Sequence, residues 1–479
     1  MKLVGVAERA IAGLASPQAR LIDAATGAVW SGDRLRAVVD TVAAALAPLP
    51  PGPVVCLTGN DVASVVRYLG VRAAARPAML IDAGLPAVEV ADLVDRFEPA
   101  AVVGLAAGGT KVGGVRPDRP PAGYAAADGV DVGPVWTRET APRHVPHPDL
   151  RLLLATSGST GRPRLVRQSE RSVRASAAAI CAALRIDEGQ VAITALPLYY
   201  TLGLSVLHSH LFAGATVVVE ARGVLDRGFW DSVDRYGVTS LTGVPHTYEL
   251  LIRQPWRPTD NPTVRRLCVS GARIRDAVAL HFHTEMQRHG GAFYVMYGQT
   301  EAGSRICVLP PEDLPAKLGS VGPPIPGTRL SIESPGPDGV GEVVCHSDTV
   351  MMGYAESAAD LARGDDLAGT LSTGDRGRLD GDGYLWLSGR ASRIGKAYGV
   401  RVSLDAVEHV GSAIAPTAAV AGDDRVLLWC EGIGQERVAE VAALVAQKLR
   451  IHRTAVIVSA VPELPRRPNG KVDYDALPV

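Results

Sequence analysis

The sequence has 479 residues, a length that corresponds to about three domain-sized units. Apolar residues make up 47% and charged residues 21% of the chain, and 49 basic residues nearly balance 50 acidic ones. A net charge of −1 excludes a strong electrostatic surface for nucleic acid or anionic membrane. Residues Met1 to Leu14 lack a signal-peptide core, and no apolar run reaches the roughly 18 residues of a membrane helix. We therefore expect a globular, cytoplasmic protein with a large core.

Cysteine and histidine spacing gives little evidence for a disulfide framework or a metal centre. The six cysteines lie far apart in the sequence and form no CxxC pair, so we expect reduced, buried thiols. His208 with His210, and His281 with His283, form two HxH pairs, and a strand would present each pair on one face. Because no third ligand lies nearby in sequence, we expect no metal site at either pair.

The predicted elements alternate between strands and helices, which is typical of an α/β protein. A buried strand over Pro53 to Thr58 precedes a helix over Asp61 to Ala74. Residues Pro117 to Pro148 are rich in Pro, Gly and Ala and predict a long surface connection. A strand at Leu152 to Ala155 leads into a Gly/Ser/Thr loop and then into a helix capped near Ser169. Further elements are predicted at Thr216 to Glu220, Arg266 to Ser270 and Ala292 to Met296 (strands) and at Asp276 to His289 (helix).

The pattern changes beyond Gly339, where short strands with glycine turns predict a small β-rich subdomain. These strands are predicted at Gly341 to His346, Gly377 to Leu379 and Tyr384 to Ser388. After Arg390 the pattern resets to a compact α+β unit. Its predicted elements are a helix near Leu404 to Ala413, a hairpin over Ala418 to Cys430, a helix over Gln435 to Arg450 and a strand over Thr454 to Ala460. We therefore divide the chain into a large domain with mixed sheets, residues 1–389, and a small domain, residues 390–479.

Two segments carry residue types that suit phosphate and magnesium. The loop at 156–164 offers backbone N–H groups, hydroxyls and the cation Arg164 to phosphate oxygens, although it lacks the GxxxxGK[ST] spacing of a P-loop. The segment Tyr297-Gly298-Gln299-Thr300-Glu301 places a carboxylate directly after a predicted strand, as a magnesium site requires. Taken singly, each segment also fits an ordinary surface loop or strand end.

Three later segments add candidates for the rest of a nucleotide. Asp375, at the end of Ser372-Thr373-Gly374-Asp375, would accept both hydroxyls of a ribose or form an Asx turn. Arg390 lies at the predicted boundary. The tight turn at Asn469-Gly470 presents Lys471, one of only six lysines in a chain with 43 arginines. A solvated tail lysine would give the same local pattern.

In this order, the segments resemble the adenylate-forming superfamily, which contains acyl-CoA ligases, peptide-synthetase adenylation enzymes and luciferases. The stretches Gly341-Glu342 and Met352-Gly353-Tyr354 also match, and the resemblance runs from about Leu152 to Lys471. It implies a multi-subdomain N-terminal domain and a small, mobile α+β C-terminal domain. Rotation of the small domain would bring Lys471 to the site for adenylation and withdraw it for the second step.

The resemblance also implies a role for each matching residue, with ATP and Mg²⁺ as cofactors. Thr300 would touch the α-phosphate, Glu301 would hold magnesium, and Lys471 would bridge the substrate carboxylate and the α-phosphate. Asp375 would bind the ribose with help from Arg390. The other ATP-binding candidates are Thr156, Ser157, Gly158, Ser159, Thr160 and Gly161 around the phosphates, and Gly271, Ala272, Arg273, Tyr297 and Gly298 beside adenine.

Several positions depart from the family pattern. Ser392 stands where the family usually has Asp or Lys at the hinge, and Arg164 replaces the usual lysine of the phosphate loop. Tyr200 stands where many acyl-CoA ligases have His. Thr201 replaces the Asp that grips the α-ammonium of amino acids, which disfavours an amino-acid substrate.

The substrate pocket is predicted by analogy and mixes polar with apolar groups, unlike a site for long fatty acids. Its candidates are Tyr200, Thr201, Ser205, Gly243, His246, Ser270, Met296, Ser304 and Arg305. Arg305 would pair with a second carboxylate or another anion, or else point to solvent.

We predict AMP-forming activation of a small aryl or short acyl carboxylic acid, followed by transfer to the phosphopantetheine thiol of a carrier protein. The segment Pro468 to Lys471 resembles the peptide-synthetase form, which favours the carrier protein. An acyl-CoA ligase is the alternative, with Gly399 and Arg401 near the thiol tunnel. Two further readings are adenylation of nitrite for coupling to an aryl amine and an inactive nucleotide-binding protein. A place in natural-product biosynthesis follows only by analogy.

Overall fold

The computed structural model describes residues 10–105, 115, 118–129, 133–156, 164–390, 393–398 and 400–477. The predicted phosphate-loop residues 157–161, the hinge residue Ser392 and Gly399 lie outside the described residues, as does the side chain of Arg401.

The helices are α1 (Gly32–Leu46), α2 (Val62–Ala73), α3 (Ala87–Phe97), α4 (Glu170–Leu184), α5 (Thr201–Ala213), α6 (Arg227–Arg235), α7 (Pro245–Arg253), α8 (Asp276–Arg288), α9 (Leu404–Gly411) and α10 (Gln435–Leu449). The strands are β1 (Arg20–Asp23), β2 (Val29–Ser31), β3 (Val54–Thr58), β4 (Ala78–Asp82), β5 (Ala101–Val103), β6 (Tyr124–Gly129), β7 (Gly133–Arg138), β8 (Leu150–Thr156), β9 (Arg164–Ser169), β10 (Val191–Ile193), β11 (Thr216–Val219), β12 (Ser240–Gly243), β13 (Arg266–Val269), β14 (Ala292–Tyr297), β15 (Cys307–Leu309), β16 (Thr328–Glu333), β17 (Gly341–Ser347), β18 (Gly353–Ala355), β19 (Thr370–Leu379), β20 (Leu385–Arg390), β21 (Ile394–Ala397), β22 (Val400–Ser403), β23 (Thr417–Ala421), β24 (Val426–Glu431) and β25 (Val456–Val461).

Two eight-stranded mixed sheets form the larger part of the molecule. The first has the strand order β15-β14-β13-β12-β10-β11-β1-β2, and the second has β18-β9-β8-β4-β3-β5-β7-β6. Parallel pairs occupy the middle of both sheets, and antiparallel pairs such as β14 with β15 and β8 with β9 lie toward the edges. Smaller sheets follow in the orders β16-β17-β19-β20, β21-β22 and β23-β24-β25. The predicted α/β class with mixed sheets is confirmed.

Helices α4 and α5 lie in the core that joins the two large sheets. Ser169 caps α4 by accepting a hydrogen bond from the Ser172 N–H, and Val173, Ala177 and Ile180 keep helical spacing on its buried side. One apolar cluster contains Val173 and Ala177 together with side chains from β3, β8, α5 and β11. Every residue of α5 from Leu202 to Leu211 is buried, so its polar side chains face the interior.

The prediction of a long surface connection at Pro117 to Pro148 is wrong. Strands β6 and β7 form an antiparallel pair there, and β7 pairs with β5 at the edge of the second sheet. Trp136 and Val135 are buried, and this apolar pair outweighs the Pro- and Gly-rich composition around it.

The sequence analysis also missed β9, because its buried polar residues conceal the strand. Arg167 is fully buried, and its guanidinium donates to the carbonyl oxygens of Met352 and Gly364 at 3.0 and 3.1 Å. The charge is matched by Asp366, whose carboxylate accepts at 2.5 Å. The buried Arg167 on β9 therefore holds the residues on both sides of β18, from Met352 to Asp366, in place.

The histidine pairs lie on helices rather than strands. Residues two apart on a helix point about 200° apart, so neither pair shares a face. His208 contacts the Tyr68 hydroxyl through Nε2 at 2.7 Å, whereas Nδ1 of His210 contacts the Val206 carbonyl at 2.9 Å. Within the described ranges, no group of three or more His, Cys, Asp and Glu could hold a metal ion, and the six cysteines are free thiols.

The C-terminal elements form a separate apolar core. The two clusters built from β22 to β25, α9 and α10 contain only residues from Ala397 onward. The predicted helix–hairpin–helix–strand order is present, with β23 and β24 antiparallel and β25 parallel to β24. The division into domains at residue 390 stays a prediction. No helix in the described part of the chain is both long and apolar enough to cross a membrane.

Candidate active site

Three predicted ATP-binding residues meet where β14, β19 and β20 approach one another. Asp375 on β19 lies opposite Arg390 on β20, and Arg390 Nε donates to Asp375 Oδ1 at 3.1 Å. The hydroxyl of Tyr297, the last residue of β14, donates to Asp375 Oδ2 at 2.5 Å. Burial raises the pKa of Tyr297 well above its ordinary value, and the Asp375 charge acts in the same direction, so the phenol stays a donor. The carboxylate is thereby fixed in one orientation, with only 6% of Asp375 exposed.

A second cluster contains Glu301 and Thr300, which lie in a 3₁₀ turn after β14. The Tyr354 hydroxyl donates to Glu301 Oε1 at 2.7 Å, and the Arg164 guanidinium carbon lies 4.1 Å from the centre of the Tyr354 ring. The Gln168 amide donates to the Thr300 carbonyl at 3.0 Å. Arg164 is the last residue of the predicted phosphate loop, and the Tyr354 side chain connects it to Glu301. Thr156, at the other end, donates to the Arg164 carbonyl at 3.4 Å.

Lys471 reaches this cleft from the C-terminal segment. Its Nζ lies 5.5 Å from the centre of the Tyr200 ring. A turn at Gly470, with φ of +78°, presents the lysine, and the Asn469 side chain accepts from the Lys471 N–H at 3.1 Å. Burial lowers the pKa of Lys471, and the nearby Arg390 lowers it further, while Glu301 raises it. The structure therefore brings Lys471, Glu301, Asp375 and Arg390 into one cleft.

The lowered pKa of Lys471 predicts an alkaline limit to activity. The role that the resemblance implies for Lys471 requires the protonated amine, so kcat/KM for ATP should fall as the pH rises through a pKa below the ordinary 10.5. The measurement is the pH profile of pyrophosphate exchange. In Lys471→Arg the guanidinium keeps its proton, so the residual activity should lack this alkaline limb. A wild-type profile that is flat up to the ordinary lysine pKa would contradict the prediction.

A network of charged side chains holds the segment before Lys471 against α7. Arg466 Nη2 lies 3.6 Å from Glu249 on α7 and 3.3 Å from Glu431 on β24. Glu431 is buried and also accepts from Arg253 of α7 and, at 3.1 Å, from the Leu464 N–H. These contacts join the C-terminal sheet to the larger part of the molecule in the arrangement that places Lys471 in the cleft.

Weakening this network should slow adenylation. In Glu249→Gln the ion pair with Arg466 is lost, and we expect acyl-AMP formation to be slowed about five- to thirtyfold, which corresponds to about 1–2 kcal/mol. The dissociation constant of ATP should stay unchanged, because the described contacts of Glu249 are with His246, Arg275 and Arg466 and not with Tyr297, Asp375 or Arg390. Single-turnover formation of acyl-AMP measures the effect. Glu440→Gln is the matched control, because Glu440 pairs with Arg437 on the exposed side of α10. An unchanged rate in Glu249→Gln would contradict the prediction.

The residues predicted for the substrate pocket and those predicted beside adenine do not all meet. Gly271 has φ of +95° and lies against Tyr200, since a Cβ on Gly271 would be 2.6 Å from the Tyr200 hydroxyl. His246 faces Glu249, with Nδ1 3.7 Å from Oε2, and belongs to the network on α7. Arg273, expected beside adenine, lies 3.3 Å from His409 Nε2 through its Nη2. The remaining candidates lie as follows: Ser205, Ser270, Met296 and Ser304 are buried, Thr201 begins α5, Gly243 ends β12, Gly298 follows β14, and Ala272 is exposed.

Arg305 does not point to solvent. Only 1% of the residue is exposed, and its Nη1 donates to the hydroxyls of Ser205 and, at 2.7 Å, Ser304. It lines a cavity beneath α5 that the sequence analysis did not identify. The other lining residues are Leu184, Ile186, Val206, Ser209, His210, Ser240, Thr242, Arg266 and Cys268. The one sequence feature that could have indicated this cavity is the occurrence of polar residues within otherwise apolar, buried elements.

The fold and this cleft differ from those of a P-loop protein, and the comparisons with known proteins identify the family. Residues 14–355 match the AMP-binding enzyme family, and the chain belongs to that family. Among solved structures, o-succinylbenzoate CoA synthetase from Bacillus subtilis with an acyl-adenylate has a TM-score of 0.74 at 21% identity and covers 95% of this chain and 94% of its own. ATP-bound MatB from Rhodopseudomonas palustris has a TM-score of 0.75 at 23% identity and covers 96% and 95%.

Relatives with higher identity are named CoA ligases. Sulfoacetate–CoA ligase from Cupriavidus necator is 31% identical over 69% of this chain and 67% of its own length. Oxalate–CoA ligase from Arabidopsis thaliana is 31% identical over 57% and 54%. 2-Succinylbenzoate–CoA ligase from Bacillus subtilis is 32% identical over 50% and 49%, so the chain spans about half the length of the last two. The predicted family, fold and class of enzyme are confirmed.

Proposed function

We propose that this protein uses MgATP to convert a small carboxylic acid to an acyl adenylate, and then transfers the acyl group to a pantetheine thiol. The observation that carries the proposal is the position of Lys471, a partly buried cation in the same cleft as Glu301, Asp375 and Arg390. In this proposal residues 1–389 form the ATP- and acid-binding core, residues 390–479 carry the lysine, and the enzyme works in the cytoplasm.

The first step joins two anions, which is why a fixed cation is needed. A carboxylate oxygen attacks the α-phosphorus of ATP, the bond to the β-phosphate oxygen breaks, and pyrophosphate leaves. Lys471 would offset charge on the carboxylate and α-phosphate, and Thr300 would donate to the α-phosphate. Asp375, oriented by Tyr297 and Arg390, would accept the ribose hydroxyls and fix the nucleotide for in-line attack.

Glu301 fits a magnesium ion. Its carboxylate is a hard oxygen ligand, and Tyr354 occupies one oxygen and orients the group. Mg²⁺ is usually held by one or two carboxylates together with substrate phosphates, which supports a single carboxylate ligand at this position. When bound, magnesium would neutralise phosphate charge.

In the second step the thiolate attacks the acyl carbon, the bond to the phosphate oxygen breaks, and AMP leaves. The names of the matched relatives support free CoA as the acceptor. The segment Pro468 to Lys471 and the tyrosine at position 200 support a carrier protein instead. Sulfoacetate, oxalate and 2-succinylbenzoate are small acids with more than one acidic group, which supports a short polar substrate.

Pyrophosphate release with MgATP and a panel of carboxylic acids tests the first step. We expect AMP, not ADP, as the nucleotide product, and acid-dependent release with a small acid. Addition of CoA or of a phosphopantetheinylated carrier protein then identifies the acceptor. Release that requires nitrite and an aryl amine instead of a carboxylic acid would overturn the proposed substrate class. Bound ATP without turnover of any acid would overturn the proposed activity.

A further inference from the structure

Arg305 is a buried cation without a carboxylate partner. None of the described acidic residues forms an ion pair with it, and its Nε has no hydrogen-bond partner. Within the described part of the chain, its guanidinium donates to the hydroxyls of Ser205 and Ser304, which are neutral. A buried arginine is normally paired, because removal of a charge from water is costly unless an opposite charge compensates for it. The two hydroxyls orient the guanidinium but leave its charge unbalanced.

The surroundings of Arg305 select for an anion. The cavity that it lines contains a second cation, Arg266, and hydroxyls from Ser209, Ser240 and Thr242. His210 faces the same cavity, and burial lowers its pKa to about 4, with Arg266 and Arg305 contributing in the same direction. The imidazole is therefore neutral near pH 7 and offers no negative charge. Among the described residues that line this cavity, none is acidic.

The position of Tyr200 relates this cavity to the reacting end of the substrate. The Tyr200 ring lies 5.5 Å from Lys471 Nζ on one side. Burial raises the pKa of its hydroxyl to about 12, and Arg305 is close enough to oppose that shift electrostatically. Lys471 and Arg305 are therefore both neighbours of Tyr200. A small acid whose reacting carboxylate lies near Lys471 would also come near Tyr200, and a second acidic group on that acid would have Arg305 as its neighbouring cation.

We propose, on the basis of the proposed function, that Arg305 binds a second acidic group of the substrate. The substrate class is then a small carboxylic acid that carries another anionic group, either a second carboxylate or a sulfonate. Both present oxygen acceptors to the guanidinium fork and supply the missing charge. Activation takes place at the carboxylate near Lys471, and the group at Arg305 is not changed in the reaction.

The test compares pairs of acids that differ in the second charge. Pyrophosphate exchange is measured with succinate against butyrate and with sulfoacetate against propionate, which also separates the second carboxylate from the sulfonate. We expect kcat/KM for at least one dianionic acid to exceed that of its partner by at least about 100-fold, because a site built for a polar group is left unpaired by the analogue that lacks it. A wild-type enzyme that uses the monoanionic acids equally well would overturn the proposal.

Variants then separate substrate binding from a structural role. Arg305→Met should lower kcat/KM about 100-fold for the dianionic acid and leave that for the monoanionic acid unchanged or higher, and Arg305→Lys should lie between. Arg265→Met is the matched control, since Arg265 is exposed and only donates to the His289 carbonyl. An equal loss for both acids in Arg305→Met and Arg305→Lys would assign Arg305 a structural role and overturn the proposal.

Equilibrium binding keeps this test independent of turnover. If no acid supports exchange, the proposed function fails, and calorimetric titration of succinate and butyrate into the protein with a non-hydrolysable ATP analogue decides the proposal by itself. Succinate binding that is selective over butyrate and lost in Arg305→Met would support it. Absence of succinate and sulfoacetate binding to the wild type, or binding unchanged by the substitution, would overturn it.

Discussion

Replacement of Lys471 by alanine is expected to lower the rate of acyl-AMP formation by about 10²–10³-fold, which corresponds to about 3–4 kcal/mol of barrier. The physical reason is the approach of a carboxylate to a phosphate in a cleft that already contains Glu301 and Asp375, both of which contribute negative charge near the lysine. Lysine suits this position as a compact charge on a flexible stem. Acid-dependent pyrophosphate exchange is the measurement.

The second half-reaction separates this effect from general damage. When acyl-AMP is supplied, Lys471→Ala should still transfer the acyl group to its thiol acceptor at close to the wild-type rate, because the proposed role of the lysine ends with adenylation. Lys448→Ala, an exposed lysine on α10, is the matched control and should leave both half-reactions unchanged. Equal loss of both half-reactions in Lys471→Ala would contradict the assignment.

The substitution Gly298→Ala is expected to remove nearly all activity, to about 1% of wild type or less, and to lower the melting temperature. A Cβ at this position would overlap the Ser304 carbonyl and lie 2.7 Å from Arg305 Cα. These atoms are backbone, so the overlap is relieved only by displacement of the segment after Glu301. Because Gly298 directly follows Tyr297, the contact with Asp375 would move as well.

Pyrophosphate exchange, ATP affinity and the melting temperature measure the effect of Gly298→Ala. We expect weaker ATP binding in addition to the loss of turnover, since Tyr297 and Asp375 are among the predicted ATP-binding residues. Gly223→Ala is the control, because a Cβ on Gly223 meets nothing within 4 Å. Near-normal exchange by Gly298→Ala would show that the Ser304–Arg305 segment is free to shift without cost to the site.

The sequence predicts the local elements well where one physical signal dominates. Helix α4 is predicted because a capping serine precedes apolar residues at helical spacing, and α8 because its end is marked by Gly290-Gly291. The hairpin of β6 and β7 is not predicted, because its stability comes from pairing with β5 and burial of Trp136, which local composition does not reveal. The HxH spacing by itself does not specify the element either: a strand would present His208 and His210 on one face, whereas the structure places them on α5.

The predicted ATP-binding residues can be found from sequence motifs, whereas the cavity lined by Arg305 cannot. Tyr297, Glu301, Asp375 and Lys471 stand in short segments whose order carries the resemblance, and the structure brings them together. The walls of the cavity come from α4, α5, β12, β13 and the segment after Glu301. Which of these face one another depends on the strand order of the first sheet. The charge of Arg305 is evident in the sequence, but its isolation from every described carboxylate is evident only in the structure.

The pairing of β1 with β11 determines when the first sheet can form during translation. β1 pairs in parallel with β11, so Arg20 meets Thr216, which is synthesised about 200 residues later. At about 5–20 residues per second, translation separates the two strands by about 10–40 s. Until then β1 has only its hairpin partner β2 on one side and an open hydrogen-bonding edge on the other. The first sheet is therefore completed late, and the growing chain carries a strand with one open edge until β11 has been made.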